Sequence, residues 1–538
     1  MMNTQLLIPS MIERAEKYFP KKEVISRTSN GIHRYTYKEI GKRTRRLADA
    51  LERLGVNKGD RVATFAWNHH RHLEAYFAIP GMGAVLHTIN IRLAEEHISY
   101  IVNHAEDKVI LVDAELLPLL ENVKESLHTV EAFIVFGDGE ALPETSLSNV
   151  YAYEKLLEKS DPKYEFVKDL DENANAGICY TSATTGNPKG VMYSHRGIIL
   201  HSMALGLADS AALSEKDTIL PVVPMFHANA WGLPFAAVWF GSTQVMPGPQ
   251  FTPGILAKLI EDYQVTLSAG VPTIWLGLLK ELESKSYVTE SLRAVLCGGS
   301  AAPASMIQAF ESKYNIPFLH AYGMTETSPL VSVSTLKSYH ENLEEDKKLA
   351  IRATQGLVIP GLEVKVAGSN GEVERNGEEM GELMIKGPWI ASEYYKDERT
   401  KDAFRDGWLH TGDVATMDEE GYIKLVDRTK DLVKSGGEWI SSVDIENAIM
   451  AHEDVFEAAV IAVPHPEWQE RPLACVVLKE LEKQSVTKEE IIDFIRPQFA
   501  KWWLPDDVVF MKELPKTSVG KFLKRALREQ LESFYAKS

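Results

Sequence analysis

Short apolar runs alternate with helical patterns along the chain from about Gly59 onward. The apolar runs are rich in Val, Ile and Phe, which favours strands, and they include RVATFAW, AVLHTIN, KVILVD and AFIVFG. Between them, LEAYFAIPGMG and EEHISYIVNHAE have the spacing of helices. The pattern resumes in VTLSAGVPTIW, LRAVLCGGS and IPFLHAYG. This alternation predicts βαβ units, and therefore an α/β fold with a mostly parallel sheet.

The pattern changes from about Gly356. VKVAG, GEVE and GELMIKG have the length and the glycine turns of short antiparallel strands. Beyond Gly421, YIKLVDRTKDLVKSGG resembles a strand that leads into a glycine-rich turn. The rest of the chain mixes helical patterns with the strand-like EAAVIAV and PLACVVL, which predicts a small α+β domain at this end.

Composition narrows the class of protein. The chain has 538 residues and a net charge of −18, which argues against nucleic acid as a general partner. Cys179, Cys297 and Cys475 are far apart and form no metal-like pair, which fits a reducing compartment. No basic segment followed by an apolar run opens the sequence, and the longest apolar stretch, near WGLPFAAVWF, is too short to span a bilayer. We therefore expect a cytoplasmic protein without a transmembrane segment.

The segment YTSATTGNPKG, residues 180–190, carries the strongest chemical signal. It begins at the end of the strand-like AGICY and combines four Ser or Thr hydroxyls, two glycines and Lys189. Hydroxyls, freed backbone amides and a lysine are what a loop needs to hold phosphate oxygens. The segment is not a P-loop, because Gly-Lys-Ser/Thr does not occur at the required spacing. From composition alone, a polar surface loop remains an equal alternative.

Further motifs occur in a fixed order after this loop. They are PMFHANAW (Pro224 to Trp231), GGSAAP (Gly298 to Pro303), YGMTET (Tyr322 to Thr327), GWLHTGD (Gly407 to Asp413), DRTKDLVKSGGEWIS (Asp427 to Ser441) and PKTSVGK (Pro515 to Lys521). Together with the loop they resemble the adenylate-forming superfamily, and most closely its bacterial medium- and long-chain fatty acyl-CoA synthetases. Ala183 stands where that family usually has glycine.

The resemblance implies an architecture. A large N-terminal domain, residues 1–427, would combine αβ sandwich layers with a small antiparallel β subdomain and would bind ATP and the acyl group. A hinge at 428–433 would lead to a small, mobile α+β domain, residues 434–538, which carries the catalytic lysine. Relatives of this kind are often dimers, so a homodimer is also implied, and peripheral membrane contact stays open.

The resemblance also implies a reaction. A fatty acid would be joined to the α-phosphate of ATP with loss of pyrophosphate, and coenzyme A would then take the acyl group. The first step brings an anion to a polyanion, so the site needs positive charge and a metal, here Mg²⁺. Mg²⁺ uses few carboxylates, so a single Glu326 is sufficient. The implied metal contacts are Thr181 and Glu326, and the implied catalytic residues are Lys521, His227 and Glu326.

Individual roles follow from the same resemblance. Asp413 would accept hydrogen bonds from the ribose hydroxyls, Tyr322 would stack on adenine, and Lys521 would bridge the carboxylate and the α-phosphate. The hinge would pivot at Lys430. The implied ATP and AMP contacts are Thr181, Ser182, Thr184, Thr185, Gly186, Lys189, Gly299, His320, Ala321, Tyr322, Thr325, Asp413, Arg428, Lys430, Lys434 and Trp439.

The implied acyl site and its gate comprise His227, Ala228 and Trp231. His227 and Trp231 are four apart, so two core residues on one helix face are the simpler interpretation of the spacing alone. Amino-acid-activating relatives carry aspartate where His227 stands, to pair the substrate ammonium. The lack of that carboxylate favours an apolar acid without an amino group.

Other interpretations remain open. An aryl or short-chain acid–CoA ligase of the same superfamily would differ only in acyl preference. A P-loop NTPase or kinase would yield ADP, and an acid-binding module would need no catalysis. The run NHHRH, residues 68–72, suggests a metal site but has no supporting ligand at a usual spacing, and Asn68 is predicted to cap a helix. The basic end KFLKRALREQLESF is, on charge alone, a solvated helix.

Overall fold

The computed structural model describes residues 2–138, 142–181, 187–368, 370–435, 438–465, 467–479, 486–517, 520–532 and 534. Ser182, Thr184, Thr185 and Gly186, which were predicted to contact phosphate, lie outside the described residues, as does Ala183.

The helices are numbered in chain order. They are α1 Pro9–Tyr18, α2 Tyr37–Arg53, α3 His70–Gly81, α4 Glu95–Ala105, α5 Leu117–Val123, α6 Tyr153–Glu158, α7 His195–Leu205, α8 Ala228–Trp231, α9 Leu233–Phe240, α10 Pro253–Tyr263, α11 Pro272–Ser284, α12 Ala304–Tyr314, α13 Glu345–Arg352, α14 Thr400–Ala403, α15 Ser442–Met450, α16 Lys488–Ile495 and α17 Lys524–Leu531.

The strands are numbered in the same way. They are β1 Glu23–Thr28, β2 Gly31–Thr36, β3 Arg61–Phe65, β4 Val85–Thr88, β5 Asp107–Asp113, β6 Ala132–Phe136, β7 Val150–Ala152, β8 Asn175–Tyr180, β9 Gly190–Ser194, β10 Thr218–Pro221, β11 Thr243–Met246, β12 Leu267–Gly270, β13 Ala294–Cys297, β14 Phe318–Gly323, β15 Leu330–Val333, β16 Leu357–Val358, β17 Glu363–Gly368, β18 Gly371–Glu372, β19 Gly381–Lys386, β20 Phe404–Arg405, β21 Trp408–Met417, β22 Ile423–Arg428, β23 Val433–Ser435, β24 Glu438–Ile440, β25 Val455–His465, β26 Gln469–Leu478 and β27 Asp507–Phe510.

Two large, mostly parallel sheets form the first part of the chain. One runs β7-β6-β5-β3-β4-β8-β9 and the other runs β16-β15-β14-β13-β12-β10-β11-β1-β2 across the described residues. The apolar runs picked out in the sequence are these strands, because a strand buried on both faces needs apolar residues at successive positions. The prediction of an α/β fold is confirmed. One boundary was wrong, since VTLSAGVPTIW is strand only to Gly270 and α11 starts at Pro272.

Helices cover both faces of these sheets. α1, α2, α3, α7 and α9 pack between the two sheets in one apolar core that includes Tyr76 and Phe235. α4 and α5 cover the outer face of the first sheet, and α10, α11 and α12 cover the outer face of the second. The result is a layered αβαβα arrangement, as predicted for the large domain.

Two further sheets follow in the chain. β17, β18, β19, β20, β21 and β22 form an antiparallel sheet, and β23 to β27 form a separate sheet within an α+β unit. The chain passes from one sheet to the other between Arg428 and Val433. No helix among the described residues is long and apolar enough to cross a membrane. The three cysteines are free and buried.

The histidine run, residues 68–72, is packed into the protein. Asn68 is not the helix cap, because α3 begins at His70 and the side chain of His69 accepts from His72 N. The Asn68 amide instead donates to the carbonyls of Pro221 and Val223, joining the two large sheets. His69 Nε2 lies 2.8 Å from an Asp113 carboxylate oxygen. Both nitrogens of the His69 ring are therefore engaged by protein groups.

The small α+β unit docks on the large one through the start of α15. The hydroxyl of Ser441 donates to the carbonyl of Val426 at 2.8 Å. The Asp427 carboxylate accepts from the backbone N–H of Ser442 at 3.2 Å and from its hydroxyl. An anion suits this position, because the N-terminus of a helix carries partial positive charge.

The last helix supports the same contact. Lys524 Nζ lies 2.7 Å from Glu446 Oε1 and also donates to the Ser442 hydroxyl. Arg528 pairs with Asp431 at 2.6 Å. The helix was predicted as solvated on charge alone, but Lys524 binds α15 and Arg528 binds Asp431 in the segment between the two sheets. Lys521 lies three residues before Lys524, next to these contacts in the chain.

Replacing Asp427 by Ala is expected to release the small unit. The change leaves Ser442 without its acceptor, and a lost hydrogen bond of a charged group costs about 1.5–3 kcal/mol, which raises the open population about tenfold or more. Tryptic cleavage within residues 428–433 should accelerate by that factor. Glu419→Ala, at an exposed turn, is the matched control. Equal cleavage rates in the wild type and the Asp427 variant would contradict this interpretation of the interface.

Candidate active site

The candidate site lies at the carboxyl end of β14, where ligands of open α/β sheets commonly bind. This strand carries His320, Ala321 and Tyr322. A 3₁₀ turn, Thr325–Thr327, follows directly and carries Glu326, which is 4% exposed. The Thr325 carbonyl accepts a hydrogen bond from the Tyr193 hydroxyl at 2.8 Å. One strand and the turn that follows it therefore bring Tyr322 and Glu326 into the same part of the site.

Asp413 joins this group from the antiparallel sheet. It lies in β21 directly opposite Arg428 of β22. Tyr322 Oη donates to Asp413 Oδ2 at 2.6 Å, and Arg428 Nε lies 3.2 Å from Asp413 Oδ1. Burial and the Asp413 charge raise the pKa of Tyr322, while Asp413 raises the pKa of Arg428. Tyr322 therefore stays a donor and Arg428 a cation, and both hold the carboxylate in place.

The phosphate-type loop starts and ends on a hairpin of β8 and β9. Thr181 N donates to the Lys189 carbonyl at 2.9 Å, and Lys189 N donates to Thr181 Oγ1 at 3.3 Å. The two ends of the loop are thus clamped together. Lys189 also lies 3.8 Å from Glu326 Oε1. The loop lysine and the implied metal carboxylate are therefore neighbours.

Tyr394 lies between these two charges, and the sequence interpretation missed it. Its hydroxyl donates to Glu326 Oε1 at 2.6 Å and accepts from Lys189 Nζ at 2.7 Å. Burial lowers the pKa of Lys189, and the Glu326 charge opposes that effect. The segment EYYKDERT carries no recognised motif. No signal in the sequence distinguishes Tyr394 from the next residue, Tyr395.

Lys521 reaches the site from the small unit. Its hairpin packs on the large unit at Gly520, where a Cβ would lie 3.0 Å from Thr273 Oγ1 and the backbone φ is +84°, so glycine is required. A Cβ on Gly299 would lie 3.3 Å from Lys521 Cε. Burial and Arg428 lower the pKa of Lys521 to about 8, while Asp413 and Glu326 act in the opposite direction. The Lys521 ammonium is therefore close enough to Arg428, Asp413 and Glu326 for their charges to change its pKa.

His227 and Trp231 flank the same point. Burial, and then Lys521, lower the pKa of His227 to about 3, so its imidazole is neutral at pH 7. A Cβ on Gly299 would lie 3.8 Å from Trp231 Cζ2, and one on Gly298 would lie 3.3 Å from Trp231 Cη2. The indole therefore lies against the same glycine pair as Lys521, and Trp231 is 8% exposed.

The backbone here differs from the helix that the spacing suggested. Ala228, Asn229, Ala230 and Trp231 all have positive φ, between 43° and 58°. The left-handed conformation costs roughly 1–2 kcal/mol for each non-glycine residue. Such residues persist only where their surroundings hold them, and they cluster at ligand clamps and switches. α8 is therefore a left-handed turn, so the right-handed helix face expected from the spacing of His227 and Trp231 is wrong, although Trp231 does belong to a buried apolar cluster.

His320 makes structural bonds with both ring nitrogens. Nδ1 lies 3.1 Å from the Ala353 carbonyl, and Nε2 accepts from Ala302 N at 3.2 Å. Burial lowers its pKa to about 4. The side chain therefore builds the wall behind Tyr322, and its contact with a nucleotide remains a prediction.

The remaining predicted positions lie between β22 and β24. Lys430 is exposed in the turn between β22 and β23. Lys434 and Trp439 face each other on the β23–β24 hairpin, with Nζ 4.6 Å from the indole centroid. Lys434 N donates to Glu470 Oε2 at 2.9 Å. This hairpin pair is held by small-unit contacts, and its role toward ATP also stays a prediction.

Comparison with known proteins places the chain in a family. Residues 12–395 match the family described as AMP-binding enzyme, and residues 444–521 match the AMP-binding enzyme C-terminal domain. A long-chain-fatty-acid–CoA ligase of Thermus thermophilus is 52% identical over 99% of this chain and 97% of its own. A medium-chain-fatty-acid–CoA ligase of Ectopseudomonas oleovorans is 43% identical over 98% and 97%.

A solved structure supports the fold at lower identity. An anthranilate CoA ligase in complex with anthranoyl-AMP superposes with a TM-score of 0.88 over 99% of both chains, at 22% identity. Two family matches in chain order, relatives that align from end to end and a site assembled across two units agree with one another. The chain belongs to the AMP-binding enzyme family, within the adenylate-forming superfamily that its motifs resemble.

Proposed function

We propose that the protein is an AMP-forming fatty acid–CoA ligase. A fatty acid carboxylate attacks the α-phosphorus of ATP, pyrophosphate leaves, and the sulfur of coenzyme A then displaces AMP from the acyl carbon with release of the thiol proton. The observation that carries the proposal is the position of Lys521 within the field of Asp413, Glu326 and Arg428. A buried ammonium that a second unit delivers suits a step in which two anions meet.

The first half-reaction uses groups of both units. The Asp413 carboxylate accepts hydrogen bonds from the ribose hydroxyls, and Tyr322 and Arg428 hold that carboxylate in place. Lys189 and the loop that begins at Thr181 bind the polyphosphate. Lys521 bridges the attacking carboxylate and the α-phosphate, where negative charge develops.

Mg²⁺ fits the donor set, and Glu326 with Thr181 would hold it. Glu326 offers hard carboxylate oxygens beside the loop, and the described residues contain no cluster of three His, Cys, Asp or Glu side chains that would favour another metal. One carboxylate, a hydroxyl, water and phosphate oxygens are the usual ligands of Mg²⁺ at such sites. When bound, the ion would neutralise charge on the polyphosphate.

The second half-reaction requires Lys521 to leave. Residues 1–427 form the large domain, 428–433 the hinge and 434–538 the small domain in this proposal. Lys430 is the pivot, and rotation about it separates Ser442 from Asp427. Withdrawal of Lys521 then opens a way for the thiol to reach the acyl carbon, as domain closure and opening gate other two-step enzymes.

The acyl chain lies beyond His227, Ala228 and Trp231. A fatty acyl chain offers only methylenes, each worth about 0.8 kcal/mol when buried, so the passage must be apolar. α9, which follows Trp231 directly, is apolar throughout (LPFAAVWF) and is the element proposed to border this passage. His227 is neutral and can donate a hydrogen bond to the substrate carboxylate without repelling Lys521.

We also propose that the protein is a cytoplasmic homodimer.

The proposal predicts pyrophosphate release that depends on the fatty acid. Pyrophosphate and AMP should form in equal amounts when the protein is given ATP, Mg²⁺, coenzyme A and a series of saturated acids from acetate to palmitate. Rates should peak at a medium or long chain, because binding energy grows with buried methylenes. A maximum at acetate or at benzoate would favour the short-chain or aryl ligase instead, and ADP as product would contradict the proposal.

Lys521→Ala tests the role of the delivered ammonium. Adenylate formation should fall by about 10²–10³-fold, the scale of losing one oriented electrostatic contact. Thioester formation from supplied acyl-adenylate should survive, because Lys521 has left the site by then. Equal loss of both half-reactions would contradict this role.

The pH dependence provides an independent check. Lys521 is protonated below its pKa of about 8 and loses its charge as pH rises through that value. Adenylate formation under kcat/KM conditions should therefore decline above about pH 8. Lys521→Arg keeps its charge through this range, so any activity that it retains should lack the decline. A wild-type profile that stays flat to pH 10 would contradict the assignment.

Trp231→Ala separates a gate from a core residue. A static core tryptophan predicts a loss of stability of about 3–5 kcal/mol with unchanged specificity. A gate predicts a folded enzyme with an altered chain-length profile and more AMP formed per thioester, since water reaches the adenylate. The left-handed turn favours the gate, because movement of Trp231 would release strain. Melting temperature, AMP-to-thioester ratio and chain-length profile should be measured on one preparation.

A further inference from the structure

Tyr394 connects the loop lysine to the implied metal carboxylate. Lys189 Nζ donates to Tyr394 Oη at 2.7 Å, and Tyr394 Oη donates to Glu326 Oε1 at 2.6 Å. The direct distance between Lys189 Nζ and Glu326 Oε1 is 3.8 Å. The hydroxyl is therefore nearer to each charge than the two charges are to each other.

The position of this phenol is fixed by its own surroundings. Tyr394 bridges to Val191 of β9 in an isolated antiparallel pair. Its N–H donates to Thr400 Oγ1 at 3.0 Å, and that hydroxyl donates back to the Tyr394 carbonyl at 3.2 Å. The ring packs edge-on against Phe404 at 5.1 Å, and the residue is 4% exposed. The hydroxyl thus has little freedom to follow either charge.

A rigid hydroxyl between two opposite charges has a definite consequence. The side chain of Lys189 is 28% exposed and that of Glu326 is 5% exposed. A half-buried ammonium and a buried carboxylate attract each other and, without an intervening group, would close to the 2.7–2.9 Å of a direct charged hydrogen bond. That bond would have to be broken before Lys189 could bind phosphate and Glu326 could bind a metal. With Tyr394 in place, Lys189 and Glu326 are each bound to its hydroxyl and not to each other. Lys189 can then bind phosphate while Tyr394 keeps its bond to Glu326, and Glu326 can bind a metal while Tyr394 keeps its bond to Lys189.

We propose that Tyr394 is a positioning residue of the ATP site, a spacer that prevents Lys189 and Glu326 from closing into a direct ion pair. The inference rests on the proposed function, because it takes Lys189 as a phosphate ligand and Glu326 as a metal ligand. Tyr394 acts through these two residues and does not itself touch the reacting atoms.

The test compares Tyr394→Phe with Tyr395→Phe. Tyr395 is the adjacent tyrosine, and its ring contacts His104 at 5.7 Å. Calorimetric binding of ATP, with and without Mg²⁺ and without any acid, reports on the site in the absence of chemistry. Tyr394→Phe should weaken ATP binding in the presence of Mg²⁺ about tenfold or more, the equivalent of one charged hydrogen bond. Tyr395→Phe should bind as the wild type does.

Steady-state kinetics give a second readout. Tyr394→Phe should raise the KM for ATP by the same factor while kcat changes less, because the spacer acts on ground-state placement. Wild-type ATP affinity in Tyr394→Phe would overturn the proposal. So would a fall in kcat with an unchanged KM for ATP.

A double-mutant cycle separates spacing from simple support. Lys189→Met removes the ammonium, so no ion pair can form whether or not the hydroxyl is present. Adding Tyr394→Phe to Lys189→Met should then cost less than threefold in ATP affinity. An equal cost in both backgrounds would show that the phenol supports Glu326 or the fold alone, and would overturn the spacer. Such coupling between neighbours is what a cycle measures.

The outcomes also separate this inference from the proposed function. Acyl-adenylate formation is measured on the wild type and on Tyr395→Phe in the same series. A wild type that binds ATP but forms no adenylate from any fatty acid contradicts the proposed function, while the ATP-affinity difference between the two tyrosine variants still decides the spacer. A similar fall in melting temperature in Tyr394→Phe and Tyr395→Phe, with similar ATP affinities, would show that Tyr394 only stabilises the fold, and would overturn the spacer.

Discussion

The proposed reaction depends on a cation that must be present for one step and absent for the next. Joining a carboxylate to a polyphosphate brings negative charges together, and in water their repulsion is largely screened by solvent. Inside a protein the opposing cation acts more strongly, because the effective dielectric is lower. Burial lowers the pKa of Lys521 to about 8, which is still high enough for the ammonium to stay charged at pH 7. In the proposed reaction a lysine that stayed in the site would block the thiol, and Lys521 belongs to a separate unit that could withdraw it.

The rest of the architecture can be related to this requirement. The large unit carries Tyr322 on β14 and Asp413 on β21, and the proposal takes Lys189, just before β9, as a phosphate ligand. The small unit needs a docking contact that is specific but breakable, and hydrogen bonds between Asp427 and the first residues of α15 meet that need. Glycines at 299 and 520 leave room where Lys521 enters. Tyr394 lies between Lys189 and Glu326, and the proposed spacer role keeps these two charges apart while Lys521 is delivered.

Much of the fold could be predicted from the sequence, and less of the site. The βαβ alternation was visible because strands buried on both faces are continuous apolar runs, and the change to antiparallel strands near Gly356 was visible because glycine turns separate short strands. The pairing of Asp413 with Arg428 depends on the register of β21 and β22, which the local sequence does not specify. The left-handed turn at Ala228–Trp231 contradicts local preference, since only tertiary packing stabilises it. Tyr394 lies in a segment without a signature, and only its position in space distinguishes it from Tyr395.

The most direct measurement follows the oxygen atoms of the acid. A saturated fatty acid labelled with ¹⁸O in both carboxylate oxygens is incubated with ATP, Mg²⁺ and coenzyme A. The mass of the nucleotide product is then measured by mass spectrometry. Attack of the carboxylate on the α-phosphorus joins the acyl group to AMP through one carboxylate oxygen. When the thiol then displaces AMP from the acyl carbon, that oxygen stays on the phosphate. The account therefore predicts AMP that carries one ¹⁸O per molecule, and a thioester that keeps the other. Unlabelled AMP, or ADP as the product, would contradict it.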